Sequence, residues 1–372
     1  NVLFQGELLA HPEIYQHLKN NLSTSVFRTN PFLKFLLGAN REIKQAALAL
    51  PFFHFGQIAE HSLFHHINPL NRESLERIDS PVAQDALSHG LSLAAYDAQS
   101  EFADGVTHGA LVHRIPGIGP VLQGMNQYLF EKFIPELKLT LYRDALERNQ
   151  ARYAKGIQAG KVSIEDIKYN TAKQANAAFG GLNYKLLGRN PTLQDIFRTI
   201  SIAPDFTEAR GRFVANAFNK YGGEQRAALL LAGGSLYVAA RILNEVLNGD
   251  AKTDLKDLFT VYYNGKKYNV RNVVGDVFEA VQNPGPWLFN RGSFVTQRAA
   301  EFFSGRDWRG RHVDAGEQVK DLLTSPIPRT LVPGKDMSIW DQLVSTFGVK
   351  VTNETKREKA GLPPLPPKKS KK

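Results

Sequence analysis

The stretch that decides the fold is residues 179–218, FGGLNYKLLGRNPTLQDIFRTISIAPDFTEARGRFVANAF. Asn190 followed by Pro191 predicts the start of a helix, because an asparagine side chain caps free backbone N–H groups and proline is accepted in the first helical turn. Apolar residues then recur at the spacing of a helix that buries one face: Leu193, Ile196, Phe197 and Ile200. Ala203-Pro204 ends this helix. A second helix follows, whose apolar side holds Phe206, Ala209, Phe213 and Phe218. The stretch predicts two helices and a sharp corner, which is a scaffold and not reaction machinery.

Outside this corner the chain carries mostly helical patterns and one clear β signal. Pro135 opens a long helix to about Ile157, and Gly222-Gly223 introduces another that ends at Asn248-Gly249. Residues that alternate around Asn264-Gly265 predict a small hairpin over residues 259–270. We therefore predict a mainly α protein, a multi-helix orthogonal or bundle-like assembly with one small β-hairpin and a disordered, basic, proline-rich C-terminal tail.

The length of 372 residues exceeds that of an ordinary single domain. We divide the chain into residues 1–6, a helical region 7–116, a helical domain 117–349 that includes the hairpin, and a tail 350–372. Residues 1–6, NVLFQG, resemble the recognition sequence of viral 3C-type proteases, so they indicate a protease-site scar or a processed end. The chain contains no cysteine, which excludes disulfides, cysteine-ligated zinc and a cysteine nucleophile.

The net charge of +10 is unevenly spread along the chain. Residues 351–372 hold seven lysines and arginines against two glutamates, which is half of the positive excess. The remaining body is only mildly basic and is not typical of a nucleic-acid-binding domain. The tail either contacts DNA, RNA or anionic lipid, or is a solvated end that keeps the chain soluble.

The longest nearly apolar run is Ala227–Ala240, fourteen residues between two arginines. Because a membrane-spanning helix needs about 20 apolar residues, this run predicts a buried core helix. Gly233-Gly234 inside it either permits the close approach of another helix or loosens the helix at that point.

Two histidines are candidate metal ligands. His61 and His65 lie four residues apart, on one face of a helix. A zinc protease motif requires a glutamate between them, as in H-E-x-x-H, but Ser62-Leu63-Phe64 occupy this interval. A partly buried helix of aromatic residues and histidines is the preferred interpretation, and a histidine-based metal enzyme is the weaker alternative. No catalytic residue, cofactor or metal is predicted.

A more distinctive stretch is Gly305–His312, GRDWRGRH, in which arginines surround one tryptophan. Such a loop can stack on a base or clamp a phosphate, or it can be a polar turn that the tryptophan anchors to the core. The candidate contacts for nucleic acid or another partner are Arg306, Trp308, Arg309, Arg311, Lys368, Lys369, Lys371 and Lys372. The candidate assembly surface comprises Ile196, Phe197, Phe213, Leu230 and Leu231.

Four motifs resemble the C-terminal α-helical domain of the large polyvalent proteins of phages and conjugative elements. They are Phe179-Gly180-Gly181-Leu182-Asn183, Gly188-Arg189-Asn190, Ala203-Pro204-Asp205-Phe206 and Phe303-Ser304-Gly305-Arg306-Asp307-Trp308-Arg309-Gly310-Arg311. The resemblance runs roughly from Gly117 to Thr330, and its motifs are structural corners without catalytic signatures.

The resemblance implies a protein that is packaged with or translocated beside a mobile genome, in the role of a phage internal virion (ejection) protein. We expect such a protein in the virion and, after delivery, in the envelope or cytoplasm of the bacterial host. Its expected partners are other virion or ejection proteins, further copies of itself, DNA and the host membrane surface. A nucleic-acid-binding module that uses the arginine and tryptophan loop is the alternative function.

Overall fold

The computed structural model describes residues 11–35, 37–38, 58, 60–93, 116–117, 119–179, 187–201, 204–251, 258–270, 273–282, 284–292, 296, 301, 303–305, 338, 341 and 349–353. The helices are α1 (Pro12–Leu22), α2 (Val26–Thr29), α3 (Pro81–Ser88), α4 (Gly119–Gln127), α5 (Ile134–Gln158), α6 (Ile164–Ala178), α7 (Pro191–Ile200), α8 (Pro204–Ala217), α9 (Gly223–Asn248), α10 (Val273–Gln282) and α11 (Pro284–Arg291). A π-helical turn (Tyr128–Phe133) leads into α5, and residues 31–35 and 60–64 are also helical. The strands are β1 (Thr260–Tyr263), β2 (Lys266–Val270) and β3 (Val349–Asn353). The predicted mainly α fold with a small hairpin is confirmed.

Helix α7 begins where the sequence predicts it. The Asn190 side chain accepts hydrogen bonds from the N–H groups of Thr192 and Leu193, and Pro191 is the first helical residue. Just before the cap, Gly188 adopts a φ of +54°, a left-handed conformation that glycine adopts without steric cost. These local signals fix the start of α7, which ends at Ile200, and α8 begins as a separate helix at Pro204.

The core is built around α5, whose residues Pro135–Tyr142 are all buried. The adjacent α6 packs along it through small side chains such as Ala172 and Ala175. A single hydrophobic cluster joins these helices to Phe64, Leu91 and Leu93 from the N-terminal side of the predicted boundary at residue 116. Residues from both predicted regions therefore share one core.

The hairpin has the predicted two-residue turn, since Asn264 and Gly265 adopt φ values of +49° and +70°. The positive φ at both positions is the conformation of a type I′ turn. The structure adds a third strand, because β3 pairs antiparallel with β2 and completes a sheet in the order β1-β2-β3. Residues 350–353, predicted as the start of the tail, thus belong to the sheet. The other tail residues, 354–372, lie outside the described residues.

The edge of β1 that faces away from β2 is held by the C-terminal half of α9. Asn244, which is fully buried, donates a hydrogen bond to the Thr260 carbonyl at 2.8 Å and accepts one from the Tyr262 N–H at 2.8 Å. Asn248 donates to the Tyr262 carbonyl at 2.9 Å. These side chains satisfy backbone groups that an edge strand otherwise presents to another chain, and they fix α9 against the sheet.

Candidate interaction surfaces

Helix α9 places its small residues inward and its large apolar residues outward. Its buried positions include Ala228, Ala232 and Ala240, whereas Leu230 is 76% exposed. The large apolar residues that α9 exposes are Leu230, Leu231, Tyr237, Val238, Ile242, Leu243, Val246 and Leu247. The inner face contacts α8, α10, α5 and β1. Large contiguous apolar patches are uncommon on monomeric proteins and are typical of surfaces that contact a protein or a membrane.

The prediction that the run Ala227–Ala240 is a buried core helix is wrong. The helix has 26 residues and ends at the predicted Asn248-Gly249, and most of the apolar run is exposed, whereas Arg241 lies nearly buried over the ring of Tyr237. Among the described residues, α9 is long and apolar enough to cross a membrane by length and composition. Core helices of soluble proteins pass the same test, but only 28% of the apolar window of α9 is buried.

The two central glycines of α9 have different surroundings. A Cβ atom on Gly233 would lie 3.6 Å from the methyl groups of Val274 in α10, whereas a Cβ on Gly234 would meet nothing within 4 Å. Gly233 thus belongs to a packed helix contact within the chain. Gly234 forms a notch in the exposed face.

Helix α7 is a second helix whose apolar stripe is not covered. Phe197 is 53% exposed, and Leu193 and Ile200 are exposed to a similar degree. On the opposite side, Asp195 is buried and lies 3.6 Å from Arg28 and from Arg198. The prediction that the apolar stripe of α7 is buried is wrong, since the buried residue of this helix is Asp195. Ile196 lies partly exposed beside the stripe, so Ile196 and Phe197 stay in the candidate assembly surface.

Phe213 does not belong to that surface, and its assignment is corrected. It is 2% exposed and lies in the core, where its ring is 5.8 Å from that of His61 and 6.2 Å from that of His65. Ala209 and Phe213 of α8 therefore turn inward, whereas Phe218, predicted on the same side, follows the end of the helix and is 82% exposed.

The two histidines stack in this core with their ring centroids 6.1 Å apart. Both ring nitrogens of His61 and Nε2 of His65 are buried without a hydrogen-bond partner. Burial lowers the pKa of His61 well below its usual value, and burial lowers that of His65 to about 3. The positive charges of Arg210 and Arg148 add to these shifts. Among the described residues no group of three or more histidines, cysteines or carboxylates is arranged to hold a metal ion.

Beside the histidines, Arg210 of α8 ties three elements together. Its guanidinium donates to Glu60 at 3.2 Å and is also hydrogen-bonded to Asp276 of α10. Arg291 of α11 donates to the same Asp276 carboxylate at 2.7 Å. Burial raises the pKa of Glu60, although Arg210 and a hydrogen bond from the Val273 N–H oppose the shift. We interpret this buried network of ion pairs as the contact that holds the helical residues 60–64, α8, α10 and α11 together.

The predicted nucleic-acid or partner contacts are not among the placed residues. Arg306, Trp308, Arg309, Arg311, Lys368, Lys369, Lys371 and Lys372 all lie outside the described residues. The described part of the motif that contains the loop ends at Gly305, which has a φ of +62°. The nucleic-acid alternative stays a prediction.

The candidate surface predicted from sequence included Leu230 and Leu231 but omitted the other six large residues of this face, among them Val238, Ile242 and Val246. A signal for them exists, because every fourth residue from Leu230 to Val246 is apolar or glycine. The side that packs against the protein is instead marked by alanine and asparagine. In this helix, side-chain size separates the two faces better than hydrophobicity does.

Comparisons with models of protein families, with curated proteins and with solved structures find no match for this chain.

Proposed function

We propose that the chain is a non-enzymatic structural protein of a phage or mobile element, of the internal virion (ejection) type. It is delivered with the genome from the virion to the envelope or cytoplasm of the bacterial host, and it acts through contacts with other macromolecules. The observation that carries the proposal is the outward apolar face of α9, where eight large apolar residues are exposed over alanines and asparagines.

The exposed apolar face of α9 favours assembly with a partner. Exposed apolar area has an unfavourable free energy in water of about 25 cal/mol for each Å², so a face of this size is stabilised by a partner that covers it. The inner side of α9 is already fixed by Asn244 and the alanines. The helix therefore presents its large residues without giving up its place in the fold.

Two further features support delivery with a genome. The four motifs that resemble those of polyvalent proteins include Gly188-Arg189-Asn190, which lies directly before α7 and caps it. The chain is cysteine-free and mostly helical, so it can be unfolded, threaded through a channel and refolded without forming wrong disulfides. Predominantly local contacts favour rapid refolding.

The test uses particles of the phage or element that encodes the chain. Purified particles should contain the protein in several copies by mass spectrometry and lose it when the genome is ejected. Leu230→Asp and Phe197→Asp should each reduce incorporation at least about tenfold, because a buried charge without a partner strongly disfavours an apolar contact. Leu70→Asp, at a position that is 90% exposed in a loop, is the matched control and should be incorporated normally. Absence of the protein from the particles would refute the proposal.

A further inference from the structure

The exposed face of α9 contains one continuous row of residues, which we call the α9 row. It consists of Leu230, Gly234, Val238, Ile242 and Val246, and successive members are four positions apart. Side chains at this spacing form the ridges through which helices in globular proteins most often pack on one another. Val238 stands at the centre of the row and is 52% exposed.

The α9 row has two members on each side of Val238, so it can pair with the same row of a second copy about a two-fold axis. A two-fold contact requires that residue i of one copy meets residue j of the other and that j meets i. In an antiparallel pair with Val238 on the axis, Gly234 lies opposite Ile242 of the second copy, and Leu230 lies towards the end of the second helix that holds Val246. We propose that the chain forms a homodimer through an antiparallel pair of α9 helices with Val238 on the two-fold axis.

The pairing of Gly234 with Ile242 solves a steric problem. When the two rows run along each other the helices cross at about −50° with axes about 8–10 Å apart, so two large side chains beside the centre would collide. The notch at Gly234, where a Cβ would meet nothing within 4 Å, receives the Ile242 side chain of the second copy. The same contact occurs twice, once on each side of Val238.

The charges at the two ends of the row favour the antiparallel direction. Arg226 precedes Leu230 by four residues and Asp250 follows Val246 by four, and both are exposed. In the antiparallel pair, the basic end of each helix lies towards the acidic end of the other, whereas a parallel pair would bring like charges together. The helix dipoles also favour the antiparallel pair over the parallel pair. Glu245 adds to the acidic end and disfavours an anionic lipid surface as the occupant of this face.

The face exposes eight large apolar residues of α9, and the second copy covers the part of it around Val238. This inference rests on the proposed function, since it names the partner that covers the face on which that function depends.

The cysteine-free chain allows a direct test by disulfide trapping of the full-length protein. With helix axes about 8–10 Å apart and Cα atoms about 2.3 Å from each axis, the two Cα atoms at position 238 come to within disulfide range. Under mild oxidation, Val238→Cys should convert most of the protein to a covalent dimer. Val246→Cys is the matched control, because it is the same substitution at a more exposed position, 75%, and lies far from its counterpart in the antiparallel pair.

We expect at least about tenfold less covalent dimer from Val246→Cys alone. A mixture of Gly234→Cys and Ile242→Cys proteins should form the mixed disulfide in preference to either homodimer, and circular dichroism checks that all four variants are folded. Equal trapping at positions 238 and 246 would overturn the inference, and so would no trapping at position 238. Trapping that requires phosphatidylglycerol vesicles would also overturn it and would assign the face to lipid. Particle incorporation that depends on Leu230 without trapping at position 238 would refute the dimer and leave the proposed function standing.

Discussion

The buried pair His61 and His65 makes the stability of this fold sensitive to acid. Both are neutral in the folded chain, because burial among Phe213, Phe179 and each other lowers their pKa values, that of His65 to about 3. In the unfolded chain their pKa values return to about 6.5. The unfolded state therefore binds more protons below this pH, so stability is present above about pH 6.5 and is lost as the pH falls.

The magnitude follows from the size of the shift. Between about pH 7 and about pH 5, a histidine with an unfolded pKa of about 6.5 and a folded pKa near 3 lowers the free energy of unfolding by about 2 kcal/mol. His61 adds a loss of the same sign. His89 acts in the opposite direction. Burial lowers its pKa, but the hydrogen bonds and negative charges of Glu165 and Asp85 together outweigh burial and leave the pKa raised, so His89 stabilises the fold below about pH 6.5.

The double variant His61→Leu/His65→Leu isolates the pair from these other groups. Urea denaturation of wild type and variant at about pH 7 and about pH 5 measures the two differences in free energy of unfolding. The variant should lose at least about 2 kcal/mol less than wild type on acidification. It should not be less stable at neutral pH, because leucine removes buried nitrogens that have no hydrogen-bond partner. His66→Asn is the control, since His66 is exposed and has a φ of +58° that asparagine tolerates. An equal acid loss in wild type and double variant would refute the reasoning.

Three further substitutions test how the helices are held, each by urea denaturation. Asn244→Ala should lower the free energy of unfolding by about 2–4 kcal/mol, since it leaves two buried backbone groups of β1 unpaired. A loss below about 1 kcal/mol would contradict the conclusion that Asn244 fixes α9 against the sheet. Gly188→Ala should cost more than Gly160→Ala, because both have positive φ but only the first would place a Cβ against the ring of His17; equal costs would exclude that contact. Tyr142→Phe should cost about 2 kcal/mol through loss of the 2.7 Å hydrogen bond to a carboxylate of α3, and no change would show that this bond contributes nothing.

The parts of the fold that sequence predicts are those set by neighbouring residues. Asn190-Pro191, Asn264-Gly265 and Gly249 each occupy the predicted cap or turn, because capping bonds and left-handed φ values depend on a few residues in a row. These signals were sufficient for the fold class and for the helices at the central corner.

The parts that sequence does not predict depend on distant partners. Strand β3 pairs with β2 across about eighty residues. The alternation of Val349, Lys350, Val351 and Thr352 is typical of a strand, but it does not reveal which strand is the partner. The orientation of α9 is another example, since an apolar run does not reveal which side meets the protein. Buried alanines and Asn244 decide that orientation, and they do so only once the sheet and α8 are in place. Phe213 and Phe197 have similar helical patterns, yet only Phe213 is covered.

The most direct test of the central claim, that α9 presents a surface for another macromolecule, is the mass of the full-length chain in solution. Sedimentation equilibrium over a wide concentration range should give a mass that rises from the 41.4 kDa monomer towards twice that value. Val238→Asp should hold the mass near that of the monomer, whereas Val281→Asp, on the exposed side of α10, should behave as wild type. A wild-type mass that stays at 41.4 kDa at every concentration, with no binding to virion proteins or lipid vesicles, would contradict the account.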